Sequence, residues 1–275
     1  MQSIADCTTL HNGVDMPWLG LGVFRASQGG EVEQAIQWAV DIGYRSIDTA
    51  TVYNNEEGVG EGVRRSGVPR EQLFITTKVW NSDQGYDRTL KAFEASLQRL
   101  GMDYVDLYLI HWPVAGKFQD TWRALEELYG AGKAKAIGVS NFLVPHLEDL
   151  LAGAKIVPMV NQVEFHPYLV QSDLLGFCSE HEIRVEAWSP LMKGNAAEEP
   201  TLTRLGAKYG KSAVQLVLRW DLQHEVITIP KSVHRDRIAA NADIFDFEIS
   251  EEDMEAIDAL DRGKRFGPDP NNFAF

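Results

Sequence analysis

The sequence predicts an α/β fold, a closed (β/α)8 TIM barrel, and three observations carry that prediction. Short apolar runs alternate with longer segments of helical period along the whole 275-residue chain. Eight such runs fall within about 250 residues, the usual size of one barrel. The glycine fingerprint of a doubly wound open sheet is missing after the first run, where "GLGVFR" lacks the third glycine. The prediction takes residues 1–275 as a single domain, with an N-terminal β-hairpin and a C-terminal helix and loop around the barrel.

The elements follow in order. "TTLHNGVDM" reads as the hairpin, with Asn12-Gly13 at its turn. The eight strands are "WLGLGVF" (18–24), "YRSID" (44–48), "LFITTKV" (73–79), "VDLYLIH" (105–111), "AKAIGVS" (134–140), "PMVNQVE" (158–164), "RVEAWSP" (184–190) and "VITIPKS" (226–232). Asp87 is the expected N-cap of a helix carrying Leu90, Phe93, Leu97 and Leu100 on one face. Ser212 and Gln215 form a capping box, and Ser250 caps "EEDMEAIDAL". "GVGEG" (58–62) lies inside a helical segment, and "GAKYGKS" (206–212) is one residue short of a phosphate loop, so neither is read as a nucleotide motif.

Composition bounds the function. Lys plus Arg number 26 against 40 Asp plus Glu, a net charge of -14, which repels nucleic acid and anionic membrane. No run is long and apolar enough to span a bilayer, and "MQSIADCTTLHNG" lacks the pattern of a secretory signal. The two cysteines, Cys7 and Cys178, are expected as free thiols in a reducing cytoplasm.

Polar residues gather where the predicted strands end. Asp48, Lys78, His111, Ser140-Asn141, Gln162, Trp188-Ser189 and Lys231-Ser232 all fall there. A barrel brings those ends to one face, the face where barrel enzymes hold their chemistry. Alone, each has a bland reading: a cap, a structural histidine, a solvated charge. Together they define a rim. Lys78 and Asp48 are expected to pair, because an unpaired charge in the barrel mouth is costly.

The rim limits the chemistry. None of the seven histidines stands in the His-x-His spacing of barrel metallohydrolases, so no metal is expected. "GVSNF" is not a nucleophile elbow. Glu164 is a candidate second acid, and His166 is favoured as structural. Tyr53, five residues past Asp48, returns over the mouth. A free phenol titrates near 10, so a neighbouring lysine cation is expected to lower its pKa and make it a proton donor to a carbonyl.

These residues are similar to the aldo-keto reductase family over nearly the whole chain. "GYRSIDTATVYNNEEGVG", "LFITTKVWNSDQGY", "DLYLIHWP", "AIGVSNF", "MVNQVEFHP", "AWSPL" and "ITIPKSVHRDRIAANADIFDFEIS" carry the resemblance, in order. It implies Asp48, Tyr53, Lys78 and His111 as the catalytic tetrad, with Tyr53 the acid and His111 positioning the carbonyl. It implies NADPH as cofactor, with Ser140, Asn141 and Gln162 on the nicotinamide carboxamide, Trp188 stacked on the ring, and Gly22, Val23, Ser189 and Leu191 also touching the cofactor. Lys231, Ser232, Arg237 and Asn241 would take the adenosine phosphate. Trp188 stands where many members have tyrosine, and Ala240 where many have glutamate. Independently, "KSVHRDR" is a basic cluster after the eighth strand of an acidic protein, suited to a 2′-phosphate.

Phe24, Trp80, His111 and Trp112 would line the substrate mouth, with the tail "RFGPDPNNFAF" crossing it as a loop. The tail and "WNSDQGY" are similar to the bacterial glyoxal and methylglyoxal reductase branch and to protozoan prostaglandin F synthases. The expected partner is a small carbonyl substrate such as methylglyoxal, handled by a cytoplasmic monomer. A 2,5-diketogluconate-type reductase, and an NADPH-binding regulatory subunit without turnover, are the alternatives.

Overall fold

A computed structural model describes residues 1–273; the last two residues of the expected tail loop, Ala274 and Phe275, lie outside the described residues. The chain opens with a hairpin, β1 (Cys7–Thr9) and β2 (Asp15–Pro17), antiparallel with Thr9 opposite Asp15. Leu10 and Val14 extend the pairing, and Gly13 turns the chain at φ +86°.

Eight parallel strands follow: β3 (Gly20–Gly22), β4 (Ser46–Asp48), β5 (Phe74–Val79), β6 (Val105–Ile110), β7 (Ala134–Ser140), β8 (Val160–Glu164), β9 (Arg184–Trp188) and β10 (Ile227–Thr228). They lie side by side in sequence order in one sheet. The ring closes through bridges from Leu19 to Thr228 and from Gly22 to Lys231. Gly22 has to be glycine here, because a Cβ would stand 2.7 Å from the Ile229 carbonyl oxygen. The last strand is shorter than the predicted 226–232, since Pro230 has no N–H to donate to a ladder.

Helices α1 (Glu31–Ile42), α2 (Glu56–Arg65), α3 (Tyr86–Leu100), α4 (Phe118–Gly130), α5 (Val144–Leu151), α6 (Ser172–Glu180), α7 (Pro200–Lys208), α8 (Ala213–Gln223), α9 (Arg235–Ala242) and α10 (Glu251–Asp258) are described between and after the strands. Ser212 and Ser250 cap α8 and α10 as the sequence predicts. The expected cap at Asp87 is displaced: α3 starts at Tyr86 with Gly85 as N-cap, and the Gly85 N–H donates to Thr121 Oγ1. Asp87 instead falls in the first turn, where its charge favours the helix dipole. Phe93, Leu97 and Leu100 are buried on α3, with Leu90 partly buried beside them. No described helix is long and apolar enough to cross a membrane.

Candidate active site

The polar strand ends converge as the barrel requires. Lys78, 0% exposed on β5, donates to Asp48 Oδ1 and Oδ2 at 2.7 Å each and to the Thr49 carbonyl at 2.8 Å. The ammonium is thus held by one carboxylate and one backbone carbonyl. Burial disfavours the Lys78 cation, but Asp48, with Tyr53 and Glu186 adding, outweighs it and leaves the ammonium above the ordinary lysine value.

Tyr53 ends a short 3-10 turn, Thr51–Tyr53, just after β4. Thr51 Oγ1 anchors that turn to the Lys78 carbonyl at 2.9 Å. The phenol ring sits 5.3 Å from Lys78 Nζ and 5.8 Å, edge to face, from the His111 ring. One expectation is corrected here. Burial pushes the Tyr53 phenol above its ordinary value, and the Lys78 cation, opposed by Asp48, recovers only part of that shift. The net direction is up because desolvation of a phenolate outweighs one cation already paired to a carboxylate.

His111 follows β6, with its N–H on the Val79 carbonyl. Its ring also meets Trp80 edge to face at 5.1 Å. Burial, with the Lys78 charge adding, holds it well below the ordinary histidine range, so the imidazole is neutral. Nδ1 is enclosed and has no hydrogen-bond partner among the described residues, which leaves Nε2 as the nitrogen facing the mouth.

A second layer supports this floor. Gln162 Nε2 donates to Asp48 Oδ2 at 2.8 Å and to Glu186 Oε2 at 2.6 Å. Asn141, at φ +64°, donates to the His111 carbonyl at 2.9 Å and to Ser140 Oγ at 3.1 Å, and accepts from Trp188 Nε1 at 2.8 Å. Ser140 Oγ donates to the Gln162 carbonyl at 2.8 Å. Ser140 and Asn141 thus brace Trp188 and the His111 backbone. Glu186, absent from the sequence prediction, is 0% exposed within this layer.

Aromatic walls stand above. Phe24, 51% exposed, tilts against Tyr53 at 5.0 Å. Trp80 borders His111, while Trp112 is mostly buried and stacks on Phe273 of the tail at 4.2 Å. The tail runs as a loop, as predicted, and Glu164 fastens it. That carboxylate accepts from the Phe266 N–H at 2.6 Å, from the Gly267 N–H at 3.1 Å, and bonds His166 Nε2 at 3.1 Å. Glu164 is therefore a clasp, held below the ordinary carboxylate range because these bonds outweigh its burial. His166, 0% exposed, completes the clasp.

The remaining predicted residues lie along the β9, β10 and α9 side. Gly22 and Val23 sit at the barrel seam: the Val23 N–H donates to the Asp48 carbonyl, and its own carbonyl accepts from Asn55 Nδ2. Ser189, at φ +56°, follows β9 and its carbonyl accepts from the Met192 N–H, while the Leu191 carbonyl accepts from the Gly194 N–H. Lys231 and Arg237 are exposed and have no ion-pair partner among the described residues. Ser232 Oγ accepts from the His234 N–H at 3.1 Å, before α9. Asn241, 5% exposed, has no side-chain hydrogen bond among the described residues. No group of three or more metal-ligating side chains occurs among the described residues.

A buried lysine–carboxylate floor, a phenol and a neutral imidazole at one barrel mouth define an oxidoreductase class, and comparison with known proteins agrees. Residues 19–262 match the model of the aldo/keto reductase family. The chain is 59% identical over 273 residues to glyoxal reductase of Bacillus subtilis, covering 99% of each. It is 45% identical to methylglyoxal reductase DkgA of Escherichia coli over 96% of each chain. The crystal structure of a Gox0644 variant in complex with NADPH superposes with a TM-score of 0.94 at 43% identity, over 98% of this chain and 99% of that one. This chain belongs to the aldo/keto reductase family.

Proposed function

We propose that this protein uses NADPH to reduce aldehydes and ketones to alcohols, with small aldehydes and α-dicarbonyls, methylglyoxal first, as substrates. The observation that carries the proposal is the phenol of Tyr53 standing beside His111 over the buried Lys78–Asp48 pair. The glyoxal and methylglyoxal reductases among its relatives support the substrate class.

The site fits the cofactor. Gln162 Oε1 has no hydrogen bond among the described residues and suits an amide N–H. The partly exposed Trp188 indole offers a stacking surface. Lys231 and Arg237, without an acidic partner among the described residues, and the Asn241 amide, without a side-chain bond among them, suit a phosphorylated adenosine. Ser140 Oγ and Asn141 Oδ1 each accept one bond and keep a lone pair, which suits the carboxamide N–H while Asn141 holds the Trp188 ring.

When bound, NADPH supplies a hydride to the carbonyl carbon. Tyr53 donates its hydroxyl proton to the carbonyl oxygen, so the phenol O–H breaks as the alcohol O–H forms. Its raised pKa keeps it in the protonated, donating form. Lys78 faces the phenolate left behind, and Asp48 holds Lys78 in place. Neutral His111 orients the carbonyl through Nε2. Phe24 and Trp80 offer apolar surface to the substrate beside Tyr53 and His111. We infer that residues 1–275 act as one monomeric barrel unit in the cytoplasm; the two free thiols, Cys7 exposed and Cys178 buried, suit a reducing compartment.

The test is NADPH absorbance decay with methylglyoxal, beside NADH and beside Tyr53→Phe. Rapid loss with NADPH that disappears in the variant supports the reading. NADPH bound without turnover across an aldehyde panel would overturn it.

A further inference from the structure

Two carboxylates and one ammonium lie buried together beneath the mouth. Asp48 accepts two bonds from Lys78 and one from Gln162. Glu186, one strand beyond Gln162 in register, accepts a single bond, from the second hydrogen of the same Gln162 amide. Its Oε1 is enclosed and has no hydrogen-bond partner among the described residues. Lys78 makes no hydrogen bond to it among the described residues, its contacts going to Asp48 and the Thr49 carbonyl. An ionised Glu186 would thus be a dry carboxylate, next to another, with one amide for support.

We propose that Glu186 is a positioning residue, held as the neutral acid, whose proton leaves the whole Lys78 charge to Asp48 and Tyr53 and whose ionisation slows carbonyl reduction in alkali. The proposal rests on the reading of Tyr53 as proton donor. Its charged surroundings are few. Asp48 comes from β4, Tyr53 from the turn after it and Lys78 from β5. β8 brings the uncharged Gln162, and β3 brings Gly20, Leu21 and Gly22. β10 brings Ile227 and Thr228, and Thr228 bonds Asp221 of α8 rather than Glu186. Burial, reinforced by Asp48, raises Glu186 to about 8, with Gln162 and Lys78 opposing.

The consequence is electrostatic. With Glu186 neutral, the Lys78–Asp48 pair is balanced, and a phenolate at Tyr53 meets the ammonium. An ionised Glu186 adds a negative charge that raises both Tyr53 and Lys78. The phenol then gives up its proton less readily, and reduction slows.

Glu186→Gln keeps the shape and neutrality of the acid and removes the titration. Two readouts follow, one of them independent of activity. In the pH profile of kcat with NADPH and methylglyoxal, the alkaline limb should move up by about one pH unit or more in the variant. In urea denaturation the sign is fixed by the raised carboxyl. The folded wild type binds more protons than the unfolded chain, so its stability falls as pH rises from the unfolded carboxyl value through about 8. The variant should lack that loss and be the more stable protein in alkali.

Superimposable kcat profiles would overturn the role, and identical stability slopes would overturn the buried proton. A wild type that reduces no carbonyl would overturn the functional reading and this role with it, while the urea arm still reports the proton. If Glu186→Gln does not fold, carboxyl carbon NMR of glutamate-labelled wild type supplies the titration. A glutamate resonance titrating near 8 supports the proposal, and ionisation of every glutamate below neutrality sinks it.

Discussion

Gly267 of the tail lies so close to Trp188 that a Cβ on it would stand 2.2 Å from the indole Cη2. The position is glycine because the ring occupies the space. Glu164 holds the Gly267 N–H, and Asn141 holds the other side of the indole through Nε1. The ring is therefore set between the tail and β7.

That arrangement predicts the effect of Gly267→Ala. The added methyl must push either the indole or the clasped tail, and overpacking of this kind costs about 1–3 kcal/mol locally. NADPH should bind about tenfold more weakly, or ~1.4 kcal/mol, as read by fluorescence titration. An unchanged Kd would show that the position of Trp188 is not set by the tail.

Tyr53→Phe removes the hydroxyl and leaves the ring between Phe24 and His111. The expected loss in kcat is at least about 100-fold, the usual range for a positioned acid. The NADPH Kd should stay close to wild type. A variant that still turns over at the wild-type rate would remove Tyr53 from the reaction.

Arg237 is exposed on α9, with no ion-pair partner among the described residues, one turn before the buried Asn241. Arg237→Ala should raise the NADPH Michaelis constant about tenfold and change that of NADH little, since only NADPH carries the 2′-phosphate a guanidinium would grip. Equal losses with both cofactors would argue against that contact.

His111 gives the acid-side pH dependence. Its folded pKa lies well below 6.5, because burial and then Lys78 oppose the cation. The unfolded chain therefore binds the extra proton first, and stability falls as pH drops below about 6.5. His111→Asn should flatten that part of the loss in guanidinium midpoints measured at neutral and acid pH. An identical slope in the variant would place the titration elsewhere.

Much of this protein was legible in its sequence. Alternating apolar runs and helical segments point to a parallel α/β fold, because each strand must bury both faces and each helix one, and eight repeats without a glycine fingerprint favour the barrel. Asp48, Lys78 and His111 stand out because charged or titratable residues end apolar strands. Ser212 and Ser250 announce their helices because capping is a local interaction. Glu186 left a fainter trace: in "RVEAWSP" it alternates with Val185 and Ala187 on the face of Trp188. Nothing local shows that this face is also the face of Gln162, or that one amide serves two carboxylates.

The sequence by itself determined the barrel, the rim of polar strand ends and the family. Periodicity, capping and strand-end chemistry are properties of neighbours along the chain. Only the tertiary structure decided that Glu164 is a tail clasp rather than a second acid, that Gly267 sets Trp188, and that Tyr53 titrates above its ordinary value. Those outcomes depend on burial and on partners far apart in sequence, such as Glu164 with Gly267 and Gln162 with Asp48. In a low-dielectric interior, desolvation and the count of available hydrogen-bond donors set the sign of each pKa shift. Both quantities exist only once the barrel has closed.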